Sequence, residues 1–303
     1  MKSRLRTLRP LFMVAALVAA LIAPASAKGA LPVKQVALTF DDGDNERHIR
    51  QAVAVAVATQ TPITFFPTGK SLRKFPNLWK AIGDAGIPIA NHTVTHPNLK
   101  ARYAAKGAAG VKAELQGFIN VARSFKIPVV PYWRPPGGAW DANVLRVAKS
   151  LGLTLTMWTN TFADTAPMCA TNKKTGKKYL TPTWGSFFNA TRTYSAGTAW
   201  WSKTSGGTKV NVLGHVNPYT AQTVKLLAAV IADYDGRGYE FVTVPEMATG
   251  TPNNIDWAKA ALAVSAPAKA GGPRVPTSLP TPINPLDKTY TFAQANGITI
   301  TCR

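Results

Sequence analysis

The sequence predicts an alternating α/β domain of parallel strands, with an aromatic- and Lys-rich insertion, and three observations carry that prediction. Short apolar runs alternate with segments of helical periodicity from Gln35 to Val244, the pattern of parallel βα units. Acidic, histidine and arginine residues follow the ends of several of these runs, and parallel barrels place their active sites at the carboxyl ends of their strands. The stretch from about 165 to 209 breaks the alternation. It is rich in Thr, Ser, Gly and Lys, with Tyr179, Trp184, Phe187, Phe188, Tyr194, Trp200 and Trp201 interleaved.

In chain order, Lys2, Arg4, Arg6 and Arg9 precede an apolar run from Leu11 to Ile22 and then Ala25-Ser26-Ala27. This is the three-part layout of a secretory signal peptide over residues 1–27, cut after Ala27. The run is shorter than the roughly 18 to 20 apolar residues that a membrane span needs. The expectation is an exported protein, secreted or held in the periplasm or cell envelope, with no transmembrane segment after cleavage. Strands are expected at Gln35–Phe40, Ile63–Phe66, Pro88–Asn91, Val129–Trp133, Leu153–Trp158, Val210–Gly214 and Glu240–Val244. Helices are expected at Asn45–Thr59, Pro76–Ala85, Ala108–Phe125, Asp141–Leu151 and Thr220–Tyr234. A single domain is drawn over residues 28–260, with the insertion at about 165–209. A loop of that length is functional or disordered, and its aromatics argue against disorder. Its rings are expected either to stack on a ring-bearing ligand or to pack a small core of their own. Residues 261–303 read as a Pro/Ala/Gly-rich tail, an extended linker or wrapping segment.

The chemistry concentrates where the first apolar run ends, at Asp41-Asp42-Gly43. Neighbouring side chains on an extended segment point in opposite directions, but a break at Gly43 lets both acids turn toward one pocket. One could bind a metal while the other takes a proton. The chain has four histidines, His48, His92, His96 and His215. His92 and His96 stand at i and i+4, the spacing that puts two imidazoles on one face of a helical turn. Two histidines and a carboxylate suit a divalent transition metal that keeps a position open for water. No Glu lies between them as in the zincin motif, so a base must come from elsewhere, and Asp41 is the first choice. Alone, the histidine pair is as often structural as metal-binding, and Asp-Asp-Gly alone is more often a turn. His48 fits no such pattern and reads as a surface residue at a helix start.

Five ordered landmarks, Thr39-Phe40-Asp41-Asp42-Gly43, His92-Thr93-Val94-Thr95-His96, Arg134-Pro135-Pro136-Gly137-Gly138, the segment from Trp158 to Thr165, and Leu213-Gly214-His215, resemble the motifs of one family. Ile63 to Gly69 is similar to it as well. The family is the polysaccharide deacetylase (NodB-homology) family, carbohydrate esterase family 4, and the likeness runs from about Gln35 to about Val244. It implies a distorted, incomplete (β/α) barrel and hydrolysis of acetyl groups on a polysaccharide. By that resemblance, Asp42, His92 and His96 hold a divalent transition metal, zinc, with cobalt or nickel as alternatives. Asp41 is then the base, held by Arg134. The Gly137 backbone N–H and Leu213 serve the substrate and its oxyanion, His215 is the general acid, and Asp164 tunes it. Two departures bear on the substrate. Gly137 stands where the family usually has an aromatic residue, and Thr165 stands where a Trp usually helps form the acetyl pocket. The readings that remain are N-deacetylation of a peptidoglycan or chitin-like glycan, O-deacetylation of a xylan-like polymer, and a non-catalytic carbohydrate-binding member of the fold.

Charge and cysteines concern location and partners. Losing the four basic residues of the leader lowers the formal net charge from +21 to +17. From Thr165 to Ala232 there is no acid, while Lys173, Lys174, Lys177, Lys178, Arg192, Lys203, Lys209 and Lys225 are basic. Such a field favours encounter with anionic cell-envelope polymers, or serves solubility alone. No recognition motif for nucleic acid accompanies it. The two cysteines, Cys169 and Cys302, form an even pair in an exported chain and read as a disulfide, which in the chain-entropy account contributes about 4–5 kcal/mol.

Overall fold

β1 (Gln35–Asp42) is the central strand of a parallel sheet in the computed structural model. The structure describes residues 33–161, 169–172, 174–176, 178–180, 208–216, 227, 230–231 and 234–265. β1 pairs in parallel with β2 (Ile63–Pro67) and with β8 (Lys209–His215), and all of it but its two end residues is buried. Burial on both faces is why these strands read as continuous apolar runs and not as alternating ones. Beyond β8 comes β5 (Asn160–Thr161), and β9 (Glu240–Phe241) pairs with the first two residues of β1. A second parallel pair joins β3 (Tyr132–Trp133) to β4 (Thr154–Leu155). The two sheets are linked by single parallel bridges, Phe65 to Ile89 and Asn91 to Trp133. The strand order β5, β8, β1, β2, the 88–91 segment, β3, β4 therefore follows a barrel wall. Among the described residues no ladder joins β4 back to β5, so the wall is incomplete there, as the family resemblance implies.

Helices cover the outside of this wall. α1 (Glu46–Thr59) starts at Asn45, whose side chain accepts from the His48 N–H, and buries Ile49, Ala52, Val53 and Ala56. α2 (Gly69–Lys74) and α3 (Pro76–Asp84) follow β2, and α3 opens on Pro76, where a missing N–H costs nothing. α4 (Leu99–Ser124) begins nine residues earlier than expected and is interrupted at Gly107, whose φ of 57° and ψ of −158° are not helical. α5 (Ala142–Ser150) is capped by Asp141, α6 (Val244–Thr249) by a capping box of Thr243 and Glu246, and α7 (Trp257–Ser265) packs on α1 and α3. Trp79, Phe40, Phe65, Phe118 and Leu38 are fully buried in the main core.

Several expectations change. The segment Pro88–Asn91 is held by single bridges, and β3, β4 and β9 are two residues long, because a strand in a distorted wall pairs only where its neighbours stay in reach. Val244 starts a helix and does not end a strand. His48 is 6% exposed, not a surface residue, since it falls on the face of α1 that packs inward. The 260/261 boundary falls inside α7, and Ala263 and Val264 pack against the main core. Within the insertion, β6 (Cys169–Thr171) and β7 (Lys178–Leu180) form an antiparallel hairpin. The leader, the insertion's aromatics other than Tyr179, residues 220–226 of the expected helix, and the tail from residue 266 lie outside the described residues. Among the described residues, no helix is long and apolar enough to cross a membrane.

Candidate metal and catalytic site

β1 runs two residues past its expected end and carries both acids with it, aligning Asp41 with Phe66 of β2 and with His215 of β8. Asp42 and Gly43 then take left-handed backbone at φ 74° and 80°, which turns the chain off the strand. Only glycine suits the second position. A Cβ at Gly43 would stand 2.6 Å from both the Ser71 hydroxyl and the Trp79 ring. Ser71 donates to the Gly43 carbonyl and accepts from Trp79 Nε1 at 2.8 Å, so the turn is gripped from α2 and α3.

The histidines meet by a different route from the one their spacing predicts. Residues 92–96 are a loop and not a helical turn, with Thr93 and His96 at φ 66° and 63°. A helix would leave its peptide groups paired to one another, whereas here they are paired outward. Thr93 N–H donates to Asn91 Oδ1 at 2.8 Å, and His96 N–H donates to Thr93 Oγ1 at 3.1 Å. Gly69 and Lys70 N–H, at the start of α2, donate to the Thr93 and Val94 carbonyls at 2.8 and 3.1 Å. The two rings end 5.0 Å apart, centroid to centroid.

One ligand atom from each of Asp42, His92 and His96 lies within 4.8 Å of the others. His92 Nε2 is 3.6 Å and His96 Nε2 3.3 Å from Asp42 Oδ1. The donor set fits a divalent transition ion in a further respect. His92 Nδ1 is 2.9 Å from the Arg134 carbonyl, which can only accept, so Nδ1 carries the proton and Nε2 presents its lone pair to Asp42. Burial pushes the His92 pKa below its ordinary 6.5, and this outweighs the opposing pull of Asp41 and Asp42. A neutral imidazole is the form that ligates metal.

Asp41 is 3% exposed and bound to a guanidinium that is itself fully buried. Arg134 Nη1 donates to Asp41 Oδ1 at 2.7 Å and to Thr39 Oγ1 at 2.9 Å, Nη2 to Asn211 Oδ1 at 3.2 Å, and Nε to the Thr156 carbonyl at 3.2 Å. Its plane stacks 4.2 Å from the Phe66 centroid. Burial lowers the Arg134 pKa while Asp41 supports its charge. With Oδ1 occupied, Asp41 Oδ2 is left facing His92 Nε2 at 3.5 Å. His215 is half-buried beside Asp41 in the sheet register, and the next N–H, of Val216, donates to the Asp41 carbonyl at 3.1 Å. Leu213 is buried in β8.

Gly137 sits exposed in the turn after Arg134, at φ 58°, with open space where a Cβ would be. The structure thus gathers Asp41, Asp42, His92, His96 and Arg134, and sets His215 beside Asp41. Asp164 and Cys302 lie outside the described residues, and Cys169 opens β6. Sequence reasoning assigned no role to three polar residues around the site: Thr39, which it quoted only within a motif, Asn211 and Glu114. Thr39 and Asn211 were legible only as polar interruptions of buried strands, and Glu114 as an acid on the apolar face formed by Val111, Leu115 and Phe118.

Comparison with known proteins agrees with this architecture. Residues 28–156 match the sequence profile of the polysaccharide deacetylase family. The chain is 32% identical over 149 residues to a peptidoglycan-N-acetylmuramic acid deacetylase of Bacillus subtilis, covering 48% of this chain and 53% of that protein. It is 29% identical over 125 residues to a chitooligosaccharide deacetylase of Rhizobium leguminosarum, covering 41% of this chain and 56% of that one. The chain thus spans a little over half the length of these curated relatives. Among solved structures, a carbohydrate esterase family 4 pseudoenzyme from Bacillus anthracis superposes with a TM-score of 0.56 at 18% identity, over 75% of this chain and 69% of that one. Such a likeness establishes fold alone. Over residues 28–156 the chain is therefore similar to the polysaccharide deacetylase family, and its fold is the one that carbohydrate esterase family 4 structures share.

Proposed function

We propose that this chain is an exported, metal-dependent deacetylase that hydrolyses N-acetyl groups of an amino-sugar polymer, of peptidoglycan or chitin-like type, to acetate and free amine. The observation that carries the reading is the pairing of two unlike acids. Asp42 faces two imidazoles, while its neighbour Asp41 is held by a buried arginine with one oxygen left over. A fold shared with a pseudoenzyme does not decide activity, so the argument rests on these side chains. A carbohydrate-binding surface has no need of a buried base beside a ligand set.

Asp42, His92 and His96 would hold the ion, zinc in this reading. Bound there, it would supply Lewis acidity, which in zinc reference systems lowers the pKa of water to about 7. The chain's own groups do the rest. Asp41 accepts a proton from the attacking water at Oδ2, because Arg134 occupies Oδ1 and holds the carboxylate in place. The oxyanion that develops on the acetyl group accepts from the Gly137 N–H. Leu213 lines the acetyl side. His215 gives a proton to the sugar nitrogen as its bond to the acetyl carbon breaks, with Asp164 as the acid assigned to that histidine. The leader over residues 1–27, its export, the Cys169–Cys302 disulfide and the affinity of the Lys-rich insertion for anionic envelope polymers belong to the same proposal.

The open space at Gly137, where relatives usually carry a ring, supports a second reading, an esterase for O-acetyl groups. Acetate release from a panel of N- and O-acetylated glycans, with zinc and with a chelator, separates the readings. Amide substrates should be cleaved and cleavage should stop on chelation. Cleavage of esters alone establishes the second reading. Silence across the panel with zinc bound leaves a carbohydrate-binding protein.

A further inference from the structure

Glu114 is a buried carboxylate that the chemistry above does not use. It lies in the middle of α4, 3% exposed, among Val111, Leu115 and Phe118. An ionised group in such a place must have partners, and its partners are instructive. Oε2 accepts from the Val94 N–H at 3.1 Å and from the Thr95 N–H at 2.9 Å, while Oε1 accepts from the Thr95 hydroxyl at 2.7 Å. Arg102, from the first part of α4, supplies the counter-charge on Oε1. Three of the four donors thus come from the two residues between Thr93 and His96, the two left-handed positions of the loop.

Those contacts offset the cost of the loop's backbone. Left-handed φ is unfavourable for threonine and histidine, and the segment has no regular structure to satisfy its peptides. From one side α2 donates to the Thr93 and Val94 carbonyls, and from the other Glu114 accepts the Val94 and Thr95 N–H groups. Two carbonyls and two N–H groups of the loop are thereby met by packed helices. We infer that Glu114 is the positioning residue of the metal site: by clamping Val94 and Thr95 it holds His92 and His96 at the separation from which both reach the ion beside Asp42. The inference rests on the metal reading of Asp42, His92 and His96.

Zinc affinity of the full-length chain, measured by competition with a chromophoric chelator, tests it without reference to turnover. Glu114→Gln keeps size but offers one acceptor oxygen and turns an NH2 group toward donors, so the clamp is lost on one side. Zinc binding should weaken roughly 10–100-fold, the range typical of groups that orient metal ligands. Thr95→Val removes only the hydroxyl contact and should weaken binding by less, about threefold to tenfold on the same scale. Trp257→Ala, in α7 and remote from the loop contacts, lowers the melting temperature and should leave zinc affinity unchanged. Glu114→Gln melting lower but binding zinc as tightly as wild type overturns the inference, since its role is then structural only. If Glu114→Gln does not fold, unchanged zinc affinity in Thr95→Val overturns it. Failure of the wild-type chain to bind zinc overturns the metal reading, and the inference with it; tight wild-type binding with indifferent variants overturns the inference alone.

Discussion

Asp41 and Asp42 share a peptide bond and almost nothing else. Asp41 stays in extended backbone, buried against a guanidinium, while Asp42 enters left-handed backbone and meets two imidazoles. The different environments assign different losses. Asp41→Asn removes the proton acceptor and keeps the ligand set, so turnover should fall by at least about 100-fold, the usual range for a general base, with zinc stoichiometry unchanged. Asp42→Asn should lose zinc and turnover together. Measuring acetate release and bound zinc on both variants checks the assignment, and an Asp41→Asn protein that has lost its zinc contradicts it. The sequence made the pair visible because it is contiguous. It did not reveal the parts of Thr39 and Asn211, which complete the arginine's hydrogen bonds from the two buried strands β1 and β8.

At the level of elements, the site is built from strand ends and a loop whose conformation no helix or strand period describes. The spacing of His92 and His96 is compatible with a helical turn, and periodicity alone has no means of separating that from a left-handed loop with outside partners. Long helices were legible because their apolar spacing and caps are local, as with Asn45 and Asp141. Two-residue strands such as β4 and β9 were misplaced at their edges, since their extent depends on partners far along the chain. The turn after β1 makes a sharp test. Gly43→Ala adds a Cβ to a left-handed position already 2.6 Å from Ser71 and Trp79. About 1–2 kcal/mol of backbone cost adds to displacement of the Trp79 ring, so chemical denaturation should show a loss of about 2–4 kcal/mol. Unchanged stability would mean that the turn relaxes freely.

Across the whole molecule, acid stability is where the buried carboxylate on α4 is felt. Burial alone would raise the Glu114 pKa, but hydrogen bonds from Arg102 and Thr95 more than reverse this and hold it below its ordinary 4.5. A carboxyl that binds its proton less readily when folded stabilises the fold fully above the unfolded value. The contribution then drains away as pH falls through the folded value. Denaturant titrations from neutral pH to about pH 3 should therefore show a steeper loss in wild type than in Glu114→Gln, whose side chain does not titrate. Parallel curves would show that the residue carries no such linkage. The overall fold was legible because βα alternation and motif order extend along the chain. The incomplete closure between β4 and β5 was not, because a gap in a wall leaves no local mark in composition.

His92 is sealed at 2% side-chain exposure, whereas His96 beside it is open to solvent at 46%. On the proposed metal reading, a cation at this centre would exchange with bulk through the His96 flank. A small chelator should therefore strip it by displacing that imidazole first, and mutating His96 should quicken release more than it alters the remaining pair. A sugar chain lying over the same flank would slow that exchange, so the rate at which zinc escapes becomes a gauge of substrate occupancy that needs no turnover to be read.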